Sequence, residues 1–195
     1  KAYYKQCDVL GLLLEFLFYT GMRHGEAFAL TWNRIRESEK GVQCVINRSY
    51  SSEYNITKET KTGKERTIWL TKRAREIIKE LREFYVSKER QCKGNNLVFQ
   101  KENRNEFNSA DIRSIWYSNP RRKSLTGVAK LVVKGKLPQY LNAYSTRRTF
   151  ISLQAQSGQM DSMTVASYIG DNVETIYKHY YQSQRIDGAI PAQDI

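Results

Sequence analysis

Residues 8–30, DVLGLLLEFLFYTGMRHGEAFAL, decide the fold. Asp8 is the expected cap of a helix through Val9, Leu10, Leu12, Leu13, Leu14, Phe16, Leu17 and Phe18. That helix is apolar on nearly every side, so it belongs in a core. The run is interrupted by Gly11 and Glu15 and is too short to cross a bilayer, and no signal peptide precedes it, so a soluble, intracellular protein is expected. Gly21 closes the helix, and a second short helix follows over residues 24–30, ending near Trp32. The break leaves Arg23 at a helix start, where a guanidinium can fork two donors onto a phosphate. Taken alone, that arginine fits a pairing with Glu26 one turn later better than a functional role.

Outward from this pair, residues 42–47 and 66–70 have strand character, with Val42, Cys44 and Ile46 on one face and Thr67, Ile68 and Trp69 in the second run. The lysine-rich stretch between them, containing Gly63, reads as the tip of a hairpin or small sheet. Ala74, Ile77, Ile78, Leu81, Phe84 and Tyr85 recur at helical spacing, which predicts an amphipathic helix packed against the first. Residues 97–99 read as a short strand. Ser109 is the expected cap of a helix through Ile112, Ile115 and Trp116 that stops before Pro120. Three further helices are predicted over residues 145–156, 161–169 and 172–182, punctuated by Gly158 and Gly170. The fold class is therefore mainly α with a small antiparallel β-sheet (α+β): one domain over residues 1–181, then a tail over residues 182–195.

A chain of 195 residues can bury a core without disulfides or metals. Cys7, Cys44 and Cys92 are odd in number and form no CxxC pattern, which fits a reducing compartment. With His24 and His179 as the only imidazoles, neither a metal nor a cofactor is expected. Lysine and arginine outnumber aspartate and glutamate by 32 to 20, a formal charge of +12. Such a balance suggests a polyanionic partner, nucleic acid first, because phosphate neutralisation releases condensed counterions. A basic surface kept for solubility is the alternative. Clustering favours the first reading: residues 58–75 hold seven basic and two acidic side chains, and residues 121–136 six basic and no acidic ones.

Four patterns carry the chemistry. The first is Tyr19-Thr20-Gly21-Met22-Arg23-His24-Gly25-Glu26. The second, Glu59-Thr60-Lys61-Thr62-Gly63-Lys64-Glu65-Arg66-Thr67-Ile68, holds Lys61 on or beside a turn, where an ammonium group can swing onto a leaving oxygen. In the third, Ala143-Tyr144-Ser145-Thr146-Arg147-Arg148-Thr149-Phe150, Ser145 is the expected cap, with Tyr144 and Arg147 within reach of one anion. The fourth, residues 169–181, puts Val173, Ile176, Tyr177 and Tyr180 on one helical stripe. Tyr177 should pack inward there, whereas Tyr180 lies near the exposed end and Tyr181 about 100° round the helix from it.

In order, these patterns resemble the Tyr-Thr-Gly-Met-Arg-x-Gly-Glu, Lys-Thr-x-x-x-Arg-x-Ile, Tyr-Ser-x-Arg-x-Thr-Phe and Lys-His-Tyr segments of phage integrases, the tyrosine recombinases. The resemblance spans residues 9–181. It implies a recombinase catalytic-domain fold, with Arg23 and Arg147 as the paired active-site arginines, Lys61 as the hairpin lysine and Tyr180, ten residues after Gly170, as the nucleophile. Three positions depart from the common pattern. Tyr144 and Arg148 stand where histidine is frequent, and Asp171 where histidine or tryptophan is frequent. Tyr144 and Asp171 are carried as site residues. A carboxylate at Asp171 repels a phosphate unless it is protonated, turned away or paired with a nearby arginine.

The resemblance implies an enzyme that cuts and rejoins double-stranded DNA through a 3′-phosphotyrosine, without metal or nucleotide cofactor. Lys61 then protonates the departing 5′ oxygen, and a 5′ hydroxyl of another strand reverses the step. It further implies self-assembly on DNA into a tetrameric synapse, and no membrane partner. A separate N-terminal DNA-binding domain of the same protein is expected, since the chain begins at Lys1, close to the first helix. The source implied is a prokaryotic or phage-encoded mobile element acting on the nucleoid in the cytoplasm. Two alternatives stay open: a type IB topoisomerase that religates the same strand, and a non-catalytic helix-turn-helix module within residues 150–182.

Overall fold

A computed structural model describes residues 2–60, 63, 65–116 and 127–181, with the side chains of residues 2–8 outside that description. Helix α1 (Ala2–Thr20) is followed by α2 (His24–Phe28), a 3-10 turn at Trp32–Arg34, and strands β1 (Ile35–Ser38), β2 (Gly41–Ile46), β3 (Arg48–Ser51), β4 (Ile56–Glu59) and β5 (Arg66–Trp69). Then come α3 (Lys72–Val86), α4 (Ser109–Trp116), α5 (Gly127–Val133), α6 (Ser145–Ser157), α7 (Ser162–Ile169), α8 (Val173–Ile176) and a π-helical turn at Tyr177–Tyr181. The predicted mainly α architecture with a small antiparallel sheet is what forms.

Helix α1 is the central rod, with Val9, Leu10, Leu13, Phe16 and Leu17 buried. At roughly 2–3 kcal/mol for each fully buried large side chain, this face anchors the domain. Helix α3 lies against it, burying Ala74, Ile77, Ile78, Leu81 and Tyr85 as the periodicity requires, and Arg73 of α3 reaches both carboxylate oxygens of Glu15 at 2.7 and 2.8 Å. Helix α1 starts upstream of the expected Asp8 cap, because residues 2–8 contain no glycine or proline to interrupt it. It ends at Gly21, whose φ of +63° turns the chain and whose N–H donates to the Leu17 carbonyl at 2.9 Å. A Cβ there would lie 2.5 Å from the Phe150 ring of α6, so the glycine also permits the close approach of α6 to α1.

The sheet has the order β1-β2-β5, antiparallel throughout, with Cys44 opposite both Ile35 and Ile68. Strand β1 was not legible, since only Ile35 in Ile35-Arg36-Glu37-Ser38 is apolar. The stretch between β2 and β5 also differs from a simple hairpin tip: it contains its own two-stranded ladder, β3 with β4, before the chain returns to β5. The strand expected at residues 97–99 is not formed. Leu97 makes an isolated bridge with Thr31, while Val98 and Phe99 are buried in a bend, with the Val98 N–H donating to the Leu30 carbonyl at 2.8 Å.

Two expected caps shift by one residue. At α4 the cap is Asn108, whose Oδ1 accepts from the N–H groups of Ala110 at 2.8 Å and Asp111 at 3.2 Å, leaving Ser109 to bond Ser52. At α6 Ser145 is already helical and Tyr144 occupies the cap position without a side-chain bond. Thr146 instead turns its hydroxyl back to the Ala143 carbonyl at 2.9 Å. Asp161, the expected first residue of the next helix, caps α7 instead, accepting from Thr164 N–H at 2.6 Å.

Among the described residues, most buried apolar side chains fall into two clusters. The larger surrounds α1, α3 and the β1-β2-β5 sheet, and the smaller holds Phe150, Ile151, Val165, Ala166, Ile169 and Ile176. Tyr168 packs against both, stacked on Phe150 with ring centroids 5.4 Å apart. The candidate site lies along this seam.

Candidate active site

Arg23 reaches the seam from the start of α2. Its backbone N–H donates to Glu26 Oε2 at 2.9 Å, and its Nη1 donates to Glu26 Oε1 at 3.2 Å. The pairing with Glu26 is thus formed, yet it leaves Nη2 directed across the seam, where it donates to the Gly170 carbonyl at 2.9 Å and to Asp171 Oδ2 at 3.4 Å. Arg147 arrives from the first turn of α6 and is only 1% exposed. Its Nη1 donates to the carbonyls of Gly21 at 2.7 Å and Ile169 at 3.0 Å, and its Nη2 donates to Asp171 Oδ2 at 2.9 Å. One carboxylate oxygen therefore joins two arginines that lie far apart in sequence.

Behind them is a layer that sequence reasoning left out of the site. Glu26 is buried and receives both terminal nitrogens of Arg66, at 2.9 and 2.7 Å, as well as Arg23. Arg66 also donates Nε to the Tyr168 carbonyl at 3.0 Å, tying β5 to α7. The signal was present, because Glu26 and Arg66 are fixed members of the first and second quoted segments. Burial works against the Glu26 carboxylate, but the Arg66 and Arg23 guanidiniums outweigh it and hold its carboxyl below the usual range.

The same balance acts on Asp171. Burial raises its pKa, and the bond from Arg147, the Asn172 N–H and the two guanidinium charges lower it further than burial raises it. Of the three states allowed for Asp171, the paired carboxylate is the one present. For Arg147 burial is the largest influence and lowers its pKa, with the neighbouring Arg23 charge adding to that effect.

Tyr144, Arg147, Arg148, Asp171 and Tyr180 line one open cleft, and Arg23 joins it through Asp171. Tyr144 is 40% exposed, its ring edge-on to His24 with centroids 6.3 Å apart. Tyr180 is half-buried against the smaller cluster. Burial raises its hydroxyl pKa, and the charges of Arg148 and Arg147 oppose that rise. Lys61 lies outside the described residues, as do residues 121–126 of the second basic segment and the tail at 182–195.

The tyrosine register differs from expectation. Tyr177 is exposed rather than packed in the core, whereas Tyr181 packs on the smaller cluster and donates its hydroxyl to the Met160 carbonyl at 2.6 Å. The cause is the π-helical turn at Tyr177–Tyr181, which widens the spacing so that residues four and five positions beyond the buried Ile176 share its face.

Among curated proteins, no relative matches this chain. Solved structures similar to it include the Tn1549 transposon integrase in complex with transposon right end DNA, 19% identical with a TM-score of 0.68, covering 96% of this chain and 59% of that one. The XerH site-specific recombinase bound to difH substrate is 21% identical with a TM-score of 0.59, covering 90% and 44%. XerA recombinase is 16% identical with a TM-score of 0.59, covering 95% and 64%. At these identities the likeness is one of fold, and the chain spans between 44% and 64% of the length of these structures. The model of the phage integrase family matches residues 5–185, nearly the whole sequence, and the chain belongs to that family.

Proposed function

We propose that this chain is the catalytic domain of a site-specific DNA recombinase that cuts and rejoins double-stranded DNA through a 3′-phosphotyrosine at Tyr180. The observation that carries this reading is the convergence of Arg23 and Arg147 on a single anionic oxygen in the cleft that Tyr180 lines. Two guanidiniums that already share one carboxylate oxygen have the geometry to share one non-bridging oxygen of a phosphodiester. They would stabilise the charge that builds there during displacement. The Tn1549 integrase and XerH, similar in fold, are each seen with DNA, which supports DNA as the partner.

In the step, the Tyr180 oxygen bonds to phosphorus, the bond to the 5′ oxygen breaks, the tyrosine proton leaves and the 5′ oxygen takes one up. Lys61 is the proposed donor of that last proton. Attack by a 5′ hydroxyl on the phosphotyrosine reverses the sequence without hydrolysis. Burial raises the Tyr180 pKa, while the charges of Arg148 and Arg147 oppose that rise and favour loss of its proton during attack. Tyr144, on the rim of the cleft, is the proposed further donor to the phosphate. Assembly into a tetrameric synapse on DNA belongs to the same proposal.

The test is incubation with a pool of duplexes carrying nicks in varied sequence, followed by denaturation and peptide mapping. A covalent adduct on Tyr180 is expected, and its absence with every duplex would overturn the proposal. Sustained relaxation of supercoiled plasmid would favour the topoisomerase alternative instead. A non-catalytic helix-turn-helix module would bind the duplexes without forming a covalent adduct on any of them.

A further inference from the structure

Arg147 poses a problem for any phosphate-binding role, since only 1% of its side chain is exposed. Its Nη1 is engaged by two backbone carbonyls, Gly21 and Ile169, and these fix the guanidinium in the seam. Its Nη2 donates to Asp171, whose side chain is 33% exposed, so the carboxylate stands between this nitrogen and solvent. The same Oδ2 accepts from Nη2 of Arg23. The other oxygen, Oδ1, accepts from the Asn172 N–H at 3.1 Å, which holds the carboxylate over the arginines.

We infer that Asp171 is an internal stand-in for the DNA phosphate: its carboxylate occupies the anion position between Arg23 and Arg147, and must swing away before a phosphodiester can enter. The inference rests on the proposed function, in which those two arginines bind the scissile phosphate. Charge supports it. Three guanidiniums, Arg23, Arg66 and Arg147, face two carboxylates, Glu26 and Asp171, which leaves one net positive charge in the closed cluster. With Asp171 displaced, the arginines present one more positive charge to the incoming anion, and that gain is realised only when an anion replaces the carboxylate.

The position of Asp171 in the chain suits such movement. It follows Gly170, whose φ of +67° ends α7, and it precedes Asn172, whose side chain caps α8 by accepting from the Glu174 N–H at 2.8 Å. The carboxylate thus sits at the middle of a three-residue connection between helices, and rotation about its own side-chain bonds moves it off Arg147 without unwinding either helix. In the free protein it keeps two like charges side by side in a partly buried seam. It also excludes adventitious anions.

The test uses inorganic sulfate as probe, so that it depends on neither Tyr180 nor DNA cleavage. Sulfate binding is titrated through arginine side-chain nitrogen signals in wild type, Asp171→Asn and Asp171→Ser, with melting temperatures recorded alongside. Both variants keep a hydrogen-bond acceptor and lose the charge. Each should bind sulfate at least about tenfold tighter than wild type, because an anion within a few ångströms no longer faces a carboxylate. Adding Arg147→Gln to Asp171→Asn should abolish the gain. Unchanged or weaker sulfate binding by the folded variants would overturn the inference and make Asp171 a fixed strut. Adduct formation on nicked DNA, measured separately in wild type, reports on the proposed function itself.

Discussion

The Glu26 carboxylate and the Arg66 guanidinium meet in a two-pronged contact, Nη1 to Oε1 at 2.9 Å and Nη2 to Oε2 at 2.7 Å, and the same carboxylate holds Arg23. One buried acid therefore fixes both an arginine of the site and the strand-to-helix tie behind it. Replacing it by Glu26→Ala removes the carboxylate between Arg23 and Arg66 and leaves Arg23 with the Asp171 carboxylate. Urea denaturation should show a loss of about 3 kcal/mol, the usual cost of removing one partner from a buried ion pair. Glu26→Gln should lose less.

The same residue sets an acid limit. A carboxyl whose folded pKa lies below its unfolded value contributes stability above that unfolded value, and loses it as pH falls through the folded one. Glu26, Asp171 and Glu15 are all shifted down. Stability should therefore hold at neutral pH and decline once pH drops below the usual carboxyl range, 4.5 for glutamate and 3.8 for aspartate. Melting curves from pH 7 to 2 should be shallower for Glu26→Gln than for wild type. An equal slope would remove Glu26 from the acid transition.

Gly21→Ala puts a methyl group 2.5 Å from the Phe150 ring on a backbone with φ of +63°. The carbonyl of this glycine also accepts from Arg147 at 2.7 Å, so displacement of the turn reaches the site. A loss of about 2–3 kcal/mol is expected from left-handed strain plus overpacking, together with slower adduct formation. A variant as stable as wild type would show that α6 can retreat freely from α1.

Arg23→Lys keeps a positive charge but cannot serve Glu26, Gly170 and Asp171 from one rigid fork. The rate of adduct formation should fall about 10²- to 10³-fold, as on removal of one preorganised donor, with the fold retained. Wild-type rates from this variant would show that charge alone suffices.

Much of the fold follows from local pattern. The spacing of Ala74, Ile77, Ile78, Leu81 and Tyr85 determines the buried face of α3 because a two-sided surface helix has one way to hide an apolar stripe. Gly21, Gly158 and Gly170 mark helix ends because each adopts a left-handed φ there. Arg23, Tyr144, Arg147, Asp171 and Tyr180, the residues that the resemblance points to, are brought together by the structure. What the sequence hid depends on partners distant in the chain. Asp171 meets Arg23 across 148 positions, and nothing local announces a carboxylate bridge. The inward turn of Tyr181 instead of Tyr177 follows from a π-helical turn selected by packing on Ile176 and by the Met160 carbonyl, not by helical propensity.

Tyr180 is the proposed nucleophile of the cleft. Tyr181 bonds Met160, and Tyr177 lies exposed one turn earlier, so neither lines the cleft with Arg147. Covalent adduct on nicked duplex should be measured for wild type and for Tyr177→Phe, Tyr180→Phe and Tyr181→Phe. Tyr180→Phe should fold and bind DNA as wild type does yet form no adduct, while the other two keep cleaving. Adduct persisting in Tyr180→Phe, or lost only in Tyr181→Phe, would contradict the account.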